Sequence, residues 1–467
     1  MDHRFHRKNI RGVTRGKEGV ILTEREEIEA FAEKKLPDFY PYAELASVST
    51  KHQNIPETAA YLAETFKSYG AAKTAIWTDC GGHPVVFAEF KGKSPKTLLF
   101  YNHYDVQPAE PLDEWHSDPF VPTVRDGKLY ARGICDDKGE LMSRLTVVDY
   151  FNHHGGLPVN LKFIVEGEEE LGSPHVDQYV HAHAKELAAD VCIWEGGGKN
   201  EEEKFQITCG MKGIFSFDME VVTAEKDIHS SLACYADNAA WRLVKALSSL
   251  RGENGRVLVD GFYDDILPID DTMRKVLDQY HFDNETVKKA NGLLGDFVTD
   301  KPKEALMCGP TITINGLSSG FEGEGTKTII PRKAHAKLDC RLVPDQDPEK
   351  MFHLIEKQLV KNGFPDVKLT FGVGEKPFRS DMNDPFVKLC TKTAKDVYGE
   401  GGIVIVPNMP GGGPGYQFVT ELHVPVVLVG INYAGSGPHA PNENIRIDDY
   451  KEGTYYMVKL LAAYGKE

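Results

Sequence analysis

The sequence predicts an α/β protein with a central, mainly parallel sheet, interrupted by an inserted α+β domain. Three observations carry that expectation. Toward both ends of the chain, short apolar runs alternate with helical stretches: Thr97-Leu98-Leu99-Phe100-Tyr101, Leu161-Lys162-Phe163-Ile164-Val165 and Val191-Cys192-Ile193-Trp194, then Ile403-Val404-Ile405-Val406 and Val426-Val427-Leu428-Val429. Runs of this kind separated by helices belong to strands covered on both faces. The middle of the chain instead alternates, with Phe215, Phe217 and Met219 against Ser216, Asp218 and Glu220, and Ala336, Leu338, Cys340 and Leu342 against Lys337, Asp339 and Arg341. A period of two with one polar face marks an antiparallel sheet wet on one side. Finally, 467 residues exceed one compact core and suit two or three domains. The patterns place the α/β domain at 1–210 and 378–467 and the insertion at 211–377.

Taken in order, Thr23 followed three residues later by Glu26 is a capping-box pattern that opens a helix. A second helix follows Pro56, carries Leu62, Phe66 and Tyr69 on one face and stops at Gly70. The segment from Arg132 to Gly139 reads as a turn leading into a helix through Leu141 and Leu145, and Gly411-Gly412-Gly413-Pro414-Gly415 as a glycine-rich loop.

Composition narrows the function. Apolar residues make up 41% and charged residues 27%, enough to bury a core. The charge balance of 54 basic against 70 acidic residues gives −16, which repels phosphate backbones and anionic membranes and argues against nucleic-acid or membrane partners. Eight cysteines without a CxxC pair read as buried free thiols of a reducing compartment. The first 20 residues are basic but lack an apolar stretch of the signal-peptide kind, and no run approaches the length of a membrane span. The expected location is the cytoplasm.

The chemistry clusters where the strands end. Ligands of open α/β sheets bind beyond the carboxyl ends of the strands. His103 and Asp105 follow the first apolar run, Glu166 and Glu168 to Glu170 the second, Glu195 the third, and His439 stands past the last. Taken singly, each is weak: a lone histidine is usually structural, an Asp-Asp pair a turn, and consecutive glutamates a solvated face. Together they gather like charges at strand ends, a costly arrangement unless a cation is present. Nitrogen and oxygen donors without thiolates favour zinc, manganese or cobalt, and two carboxylate-rich groups suit two ions.

The set His103-Tyr104-Asp105, Gly133-Ile134-Cys135-Asp136-Asp137-Lys138-Gly139, Glu168-Glu169-Glu170-Leu171-Gly172-Ser173, Asp227-Ile228-His229-Ser230 and His439 resembles the dinuclear zinc peptidases. That family includes carnosinases, cytosolic nonspecific dipeptidases, carboxypeptidase G and aminoacylases. The resemblance runs in matching order from about Asn54 to the end of the chain, and implies a zinc-peptidase-like catalytic domain interrupted by a ferredoxin-like lid that dimerises. It implies two divalent ions, zinc foremost with manganese or cobalt as alternatives, bridged by Asp136. His103 and Glu195 would complete one position, Glu170 and His439 the other. Glu169 matches the general base, Asp105 the carboxylate that orients His103, and the Asp136–Asp137 peptide would be cis. In the insertion, His229 matches a histidine that reaches the partner subunit's site, and Arg341 an arginine that grips the substrate carboxylate. Thr328 and Gly412 are candidate pocket residues.

The function so implied is hydrolysis of the amide bond of dipeptides or short peptides by a homodimer joined through the lid. Glu195 stands where many dipeptidases of the family have aspartate, which favours an N-acyl-amino-acid amidohydrolase or a carboxypeptidase as the alternative. Ser231 and Pro414 replace a usual glycine and serine. A non-catalytic metal-binding scaffold is disfavoured, because Glu169 is present.

Overall fold

A computed structural model describes residues 14–15 and 21–466. Most of the basic N-terminal stretch therefore lies outside the described residues. The chain forms two compact units. One comprises the chain up to Ile207 with Asp384–Val404 and Thr420–Glu467; the other comprises Thr208–Asn383 and Ile405–Val419. The glycine-rich loop thus falls in the second unit.

In the first unit the middle of the sheet runs Val426–Leu428, Val191–Trp194, Ser94–His103, Val159–Glu166, Val85–Phe90, Lys73–Trp77. The first four are mutually parallel, in a register that sets Leu98 opposite both Leu161 and Val191 and places His103 opposite Glu166. Val85–Phe90 runs antiparallel to both its neighbours, Val159–Glu166 and Lys73–Trp77, and the two strands form a margin that the apolar-run pattern does not reveal. Every residue from Leu98 to Asp105 is buried, as strands covered on both faces require.

The helices follow their local signals. Glu24–Lys35 opens with the Thr23–Glu26 capping box formed in both directions, and Ile55–Ser68 has Pro56 in its first turn. Gly139–His153 is buried nearly all round, and its polar side chains meet partners inside. Ser143 and Thr146 meet Thr454 and Tyr450 of the helix Ile447–Tyr464 at 3.1 and 2.7 Å. Arg144 donates to the carbonyls of Tyr101 and Trp194 at 2.6 and 2.7 Å. It thereby ties together the ends of the two strands that lead into the site.

The second unit contains a four-stranded antiparallel sheet in the order Thr311–Ser319, Lys333–Leu342, Gly213–Val222, Lys368–Glu375. With helices Ala239–Ser248 and Pro348–Lys361 in the connections, this is the ferredoxin-like arrangement. Burial along Gly213–Val222 alternates as its sequence does, and Phe215, Phe217 and Met219 pack with Leu243 and Ile355 in the core. Three further short helices, Asp271–Gln279, Asn284–Ala290 and Pro302–Cys308, extend the unit beyond that plan.

All eight cysteines are free. Five are buried, Cys80 and Cys308 are half-buried, and Cys234 is exposed, against the expectation that the thiols are uniformly internal. Cys234 follows the short Ser230–Leu232 turn rather than an apolar strand. Among the described residues no helix is long and apolar enough to cross a membrane.

Candidate metal and active site

His103 ends the strand Ser94–His103 with its ring fully buried. Its Nδ1 lies 2.9 Å from the Asp105 carbonyl and 3.3 Å from the Asp105 carboxylate. A histidine whose second nitrogen is held in this way presents Nε2 as a ligand in a fixed direction. That Nε2 faces Asp136 Oδ1 at 3.0 Å and Glu195 Oε2 at 3.5 Å. His439 reaches the same aspartate from a loop, with Nε2 3.1 Å from Asp136 Oδ2 and 3.2 Å from Glu170 Oε2. The two oxygens of Asp136 are therefore shared between two imidazoles, as in a carboxylate set between two ions. The Asp136–Asp137 peptide is cis.

Ligand atoms converge in two groups, His103 with Glu169 and Glu195, and Asp136 with Glu170 and His439; within each, all lie within 4.8 Å of one another. Glu169, matched by resemblance to a base, stands with the His103 group. The Asp105 carboxylate does more than orient His103. It accepts the backbone N–H groups of Glu169 and Glu170 at 3.2 and 3.1 Å, so one side chain positions the imidazole and both glutamates. Asp137 Oδ2 accepts from the Asn102 amide and the His103 N–H.

Two of the strand-end carboxylates serve structure. Glu166 accepts from Tyr101 and Ser173 hydroxyls at 2.6 and 2.8 Å. Glu168 pairs with His175 at 2.7 Å. Gly167 between them is a glycine of necessity, since a Cβ would lie 2.3 Å from the Tyr104 hydroxyl.

The protonation pattern reflects too much negative charge in too little water. Burial pushes Glu169 up to about 8, against the pull of His103 and with the help of Asp136 and Glu170. Burial also drives Glu195 well above the carboxylate range. Hydrogen bonds to Asp136 and Glu170 lift His439 to about 10. Asp136 is held low by its bonds to His103 and His439, which outweigh its burial. Glu195 Oε2 is buried without a hydrogen-bond donor. Imidazole nitrogens and carboxylate oxygens with no thiolate, one of those oxygens buried and undonated, fit a pair of divalent cations.

The remaining expected residues lie in the second unit. His229 sits on the short strand Ile228–His229, exposed, with Nδ1 2.8 Å from the Ser231 hydroxyl. The Thr328 carbonyl accepts the Ser230 N–H at 3.1 Å. Arg341 and Gly412 come together: a Cβ on Gly412 would lie 3.0 Å from Glu375 Oε2, 3.2 Å from the Lys212 carbonyl and 3.7 Å from Arg341 Nη1. Lys212, absent from the sequence-derived candidates, is 3% exposed and donates to the carbonyls of Ala305 and Gly309 at 3.2 and 2.7 Å. Burial lowers it to about 8, with Arg341 adding to the effect. The Met-Lys-Gly segment beside a strand start offered no periodic signal for it.

An α/β sheet whose strand ends deliver His103 and several carboxylates to meet His439 from a loop, in a chain interrupted by a ferredoxin-like insertion, defines a metal-dependent hydrolase. The chain belongs to peptidase family M20/M25/M40, whose model matches residues 99–463. It is 30% identical to a human Beta-Ala-His dipeptidase over 82% of this chain and 76% of the relative. It is likewise 30% identical to a Cys-Gly metallodipeptidase of Saccharomyces cerevisiae, over 82% of each. Among solved structures it is similar to an M20 family metallo-carboxypeptidase from Sulfolobus solfataricus, at 39% identity with a TM-score of 0.83, covering 93% of this chain and 100% of that one.

Proposed function

We propose that the protein is a two-cation dipeptidase that cleaves short peptides bearing a free carboxylate, with Glu169 as general base. The observation that carries this reading is Asp136, whose two oxygens face His103 and His439 separately. Two divalent ions held by His103, Glu195, Asp136, Glu170 and His439 would polarise the scissile carbonyl and acidify water from a pKa of about 15.7 toward 7. Zinc is the ion this donor set suits best, with manganese or cobalt as alternatives.

Glu169 accepts the proton of the attacking water as its oxygen bonds to the carbonyl carbon. It returns that proton to the amine nitrogen as the C–N bond breaks. Burial pushes Glu169 up to about 8, and the charge of two bound ions would bring it into the ionised range that a base needs. Arg341 supplies parallel donors to the substrate carboxylate, with Gly412 beside its guanidinium and Thr328 lining the pocket. His229 supports the oxyanion from a second copy of the chain. Similarity to dipeptidases of two kinds supports the substrate class. The 39% identity to a metallo-carboxypeptidase, with Glu195 in place of aspartate, favours carboxypeptidase action on longer peptides as the second reading. A panel of dipeptides, their N-acetylated forms and tripeptides separates them: the first reading expects free dipeptides to be cleaved at least tenfold faster, and equal rates would replace it with the second.

A homodimer through the inserted unit is supported by the edge strand Thr311–Ser319. Ile314 and Leu317 are 49% and 56% exposed there. A hollow of about 280 Å³ beside that strand is lined by Leu247, Leu250, Ile312 and Ile314. An uncovered apolar edge of this kind invites pairing with a second strand. The expected location remains the cytoplasm.

A further inference from the structure

The turn that carries Asp136 and the loop that carries His439 are far apart in the chain, and one buried ion pair joins them. Arg132 and Glu443 are each 1% exposed, and Arg132 Nη1 donates to Glu443 Oε2 at 2.7 Å. The other bonds of Glu443 go to the Asp136 turn. Gly133 N–H donates to Oε2 at 2.9 Å, and the N–H groups of Cys135 and Asp136 donate to Oε1 at 2.9 and 3.3 Å. Arg132 spends its second terminal nitrogen on backbone: Nη2 donates to the carbonyls of His439 and Pro108, both at 3.1 Å.

Burying a full ion pair is costly and often adds no net stability over apolar side chains of the same size. What distinguishes this pair is the choice of partners. All but one of its hydrogen bonds to backbone fall on the segments that bear Asp136 and His439; the exception is the Pro108 carbonyl. His439 itself has φ of 62°, a left-handed conformation uncommon for a residue with a side chain and retained only where the surroundings hold it. The Arg132 bond to its carbonyl is such a hold.

We propose that Arg132 and Glu443 are positioning residues for the metal centre: the pair sets the separation of the Asp136 carboxylate and the His439 imidazole, and so the affinity of the ion position that His439 completes. The proposal rests on the two-cation reading above, and its test distinguishes the two. Full-length wild-type protein and Glu443→Gln, stripped with a chelator and dialysed, are titrated calorimetrically with zinc, and the metal-free forms are melted in parallel. Glutamine keeps the shape but leaves one oxygen where two accept.

The expected result is two ions in the wild type. In the variant, one ion should be held within about threefold of wild-type affinity and the other about 10- to 100-fold more weakly, with kcat recovered at high zinc. Two ions bound with unchanged affinities by a folded variant, even one that melts lower, would overturn the proposal, since the pair would then be structural only. If Glu443→Gln does not fold, Arg132→Lys is read in the same way, because lysine keeps the charge but puts one nitrogen where Nη1 serves the carboxylate and Nη2 the two carbonyls. A wild type that binds fewer than two ions would overturn the two-cation reading, and the positioning role with it.

Discussion

His103 and His439 offer the same nitrogen to the same aspartate from opposite kinds of backbone. His103 completes a strand, its side chain fully buried and its Nδ1 held by Asp105. His439 stands on a loop at positive φ, its side chain 54% exposed, and it is tethered through its carbonyl by Arg132. One half of the centre is thus built into the sheet, whereas the other is assembled from loops and depends on a buried ion pair. Bridging by Asp136 would then join a rigid position to an adjustable one, and the adjustable position should give up its ion first.

The largest expected effect comes from the carboxylate that stands with the buried half. Glu169→Gln should lower kcat by about 10²- to 10⁴-fold while zinc stoichiometry stays at two; an unchanged kcat would remove Glu169 from proton transfer. Asp105→Asn strikes both the imidazole and the two glutamate amides it holds. It should weaken zinc binding at the His103 position by about 10- to 100-fold, measured by competition with a chromophoric chelator. Stopped-flow chelation of the wild type sharpens the contrast between the halves: zinc should leave in two phases, the faster one enhanced in His439→Ala only. A single phase would mean that the exposed and buried imidazoles hold their ions alike.

The smallest effect lies in the other unit and leaves the metals untouched. Lys212 is held at about 8 in the fold against about 10.4 in an unfolded chain. Between those values the unfolded chain binds more protons, so stability should rise with pH, and below about 8 the full cost of burying the charge persists. Lys212→Met should flatten that rise in chemical unfolding, with zinc stoichiometry unchanged; an identical slope in the variant would mean that the ammonium is not desolvated.

Much of the first half of the centre is legible in the sequence because strand ends have a chemistry of their own. An apolar run that stops at His103, Glu166 or Glu195 places polar groups beyond the sheet. That rule cannot tell a ligand from a brace. Glu166 and Glu168 obey it as well as Glu170 does, yet they hold Ser173 and His175. Nor can pattern find Glu443, which sits between two asparagines in a stretch that reads as solvated and meets Arg132 across 311 residues. Pairing at that distance is a property of the folded backbone, with no period to betray it.

The helices beyond the ferredoxin-like plan were partly readable. Asp270 and Asp283 cap Asp271–Gln279 and Asn284–Ala290 by accepting the N–H groups of Met273 and Thr286 at 2.7 and 2.8 Å. Aspartate just before a helical stretch is a start signal. The antiparallel margin was less so: Val85–Phe90 is almost wholly buried, and such a strand looks the same whichever way its neighbours run.

The most direct test of the central claim is an anomalous difference map from crystals of the zinc-loaded protein. Two peaks are expected, one touched by His103 and Glu195, the other by Glu170 and His439, with Asp136 reaching both. A single peak, or a pair that does not share Asp136, would contradict the account.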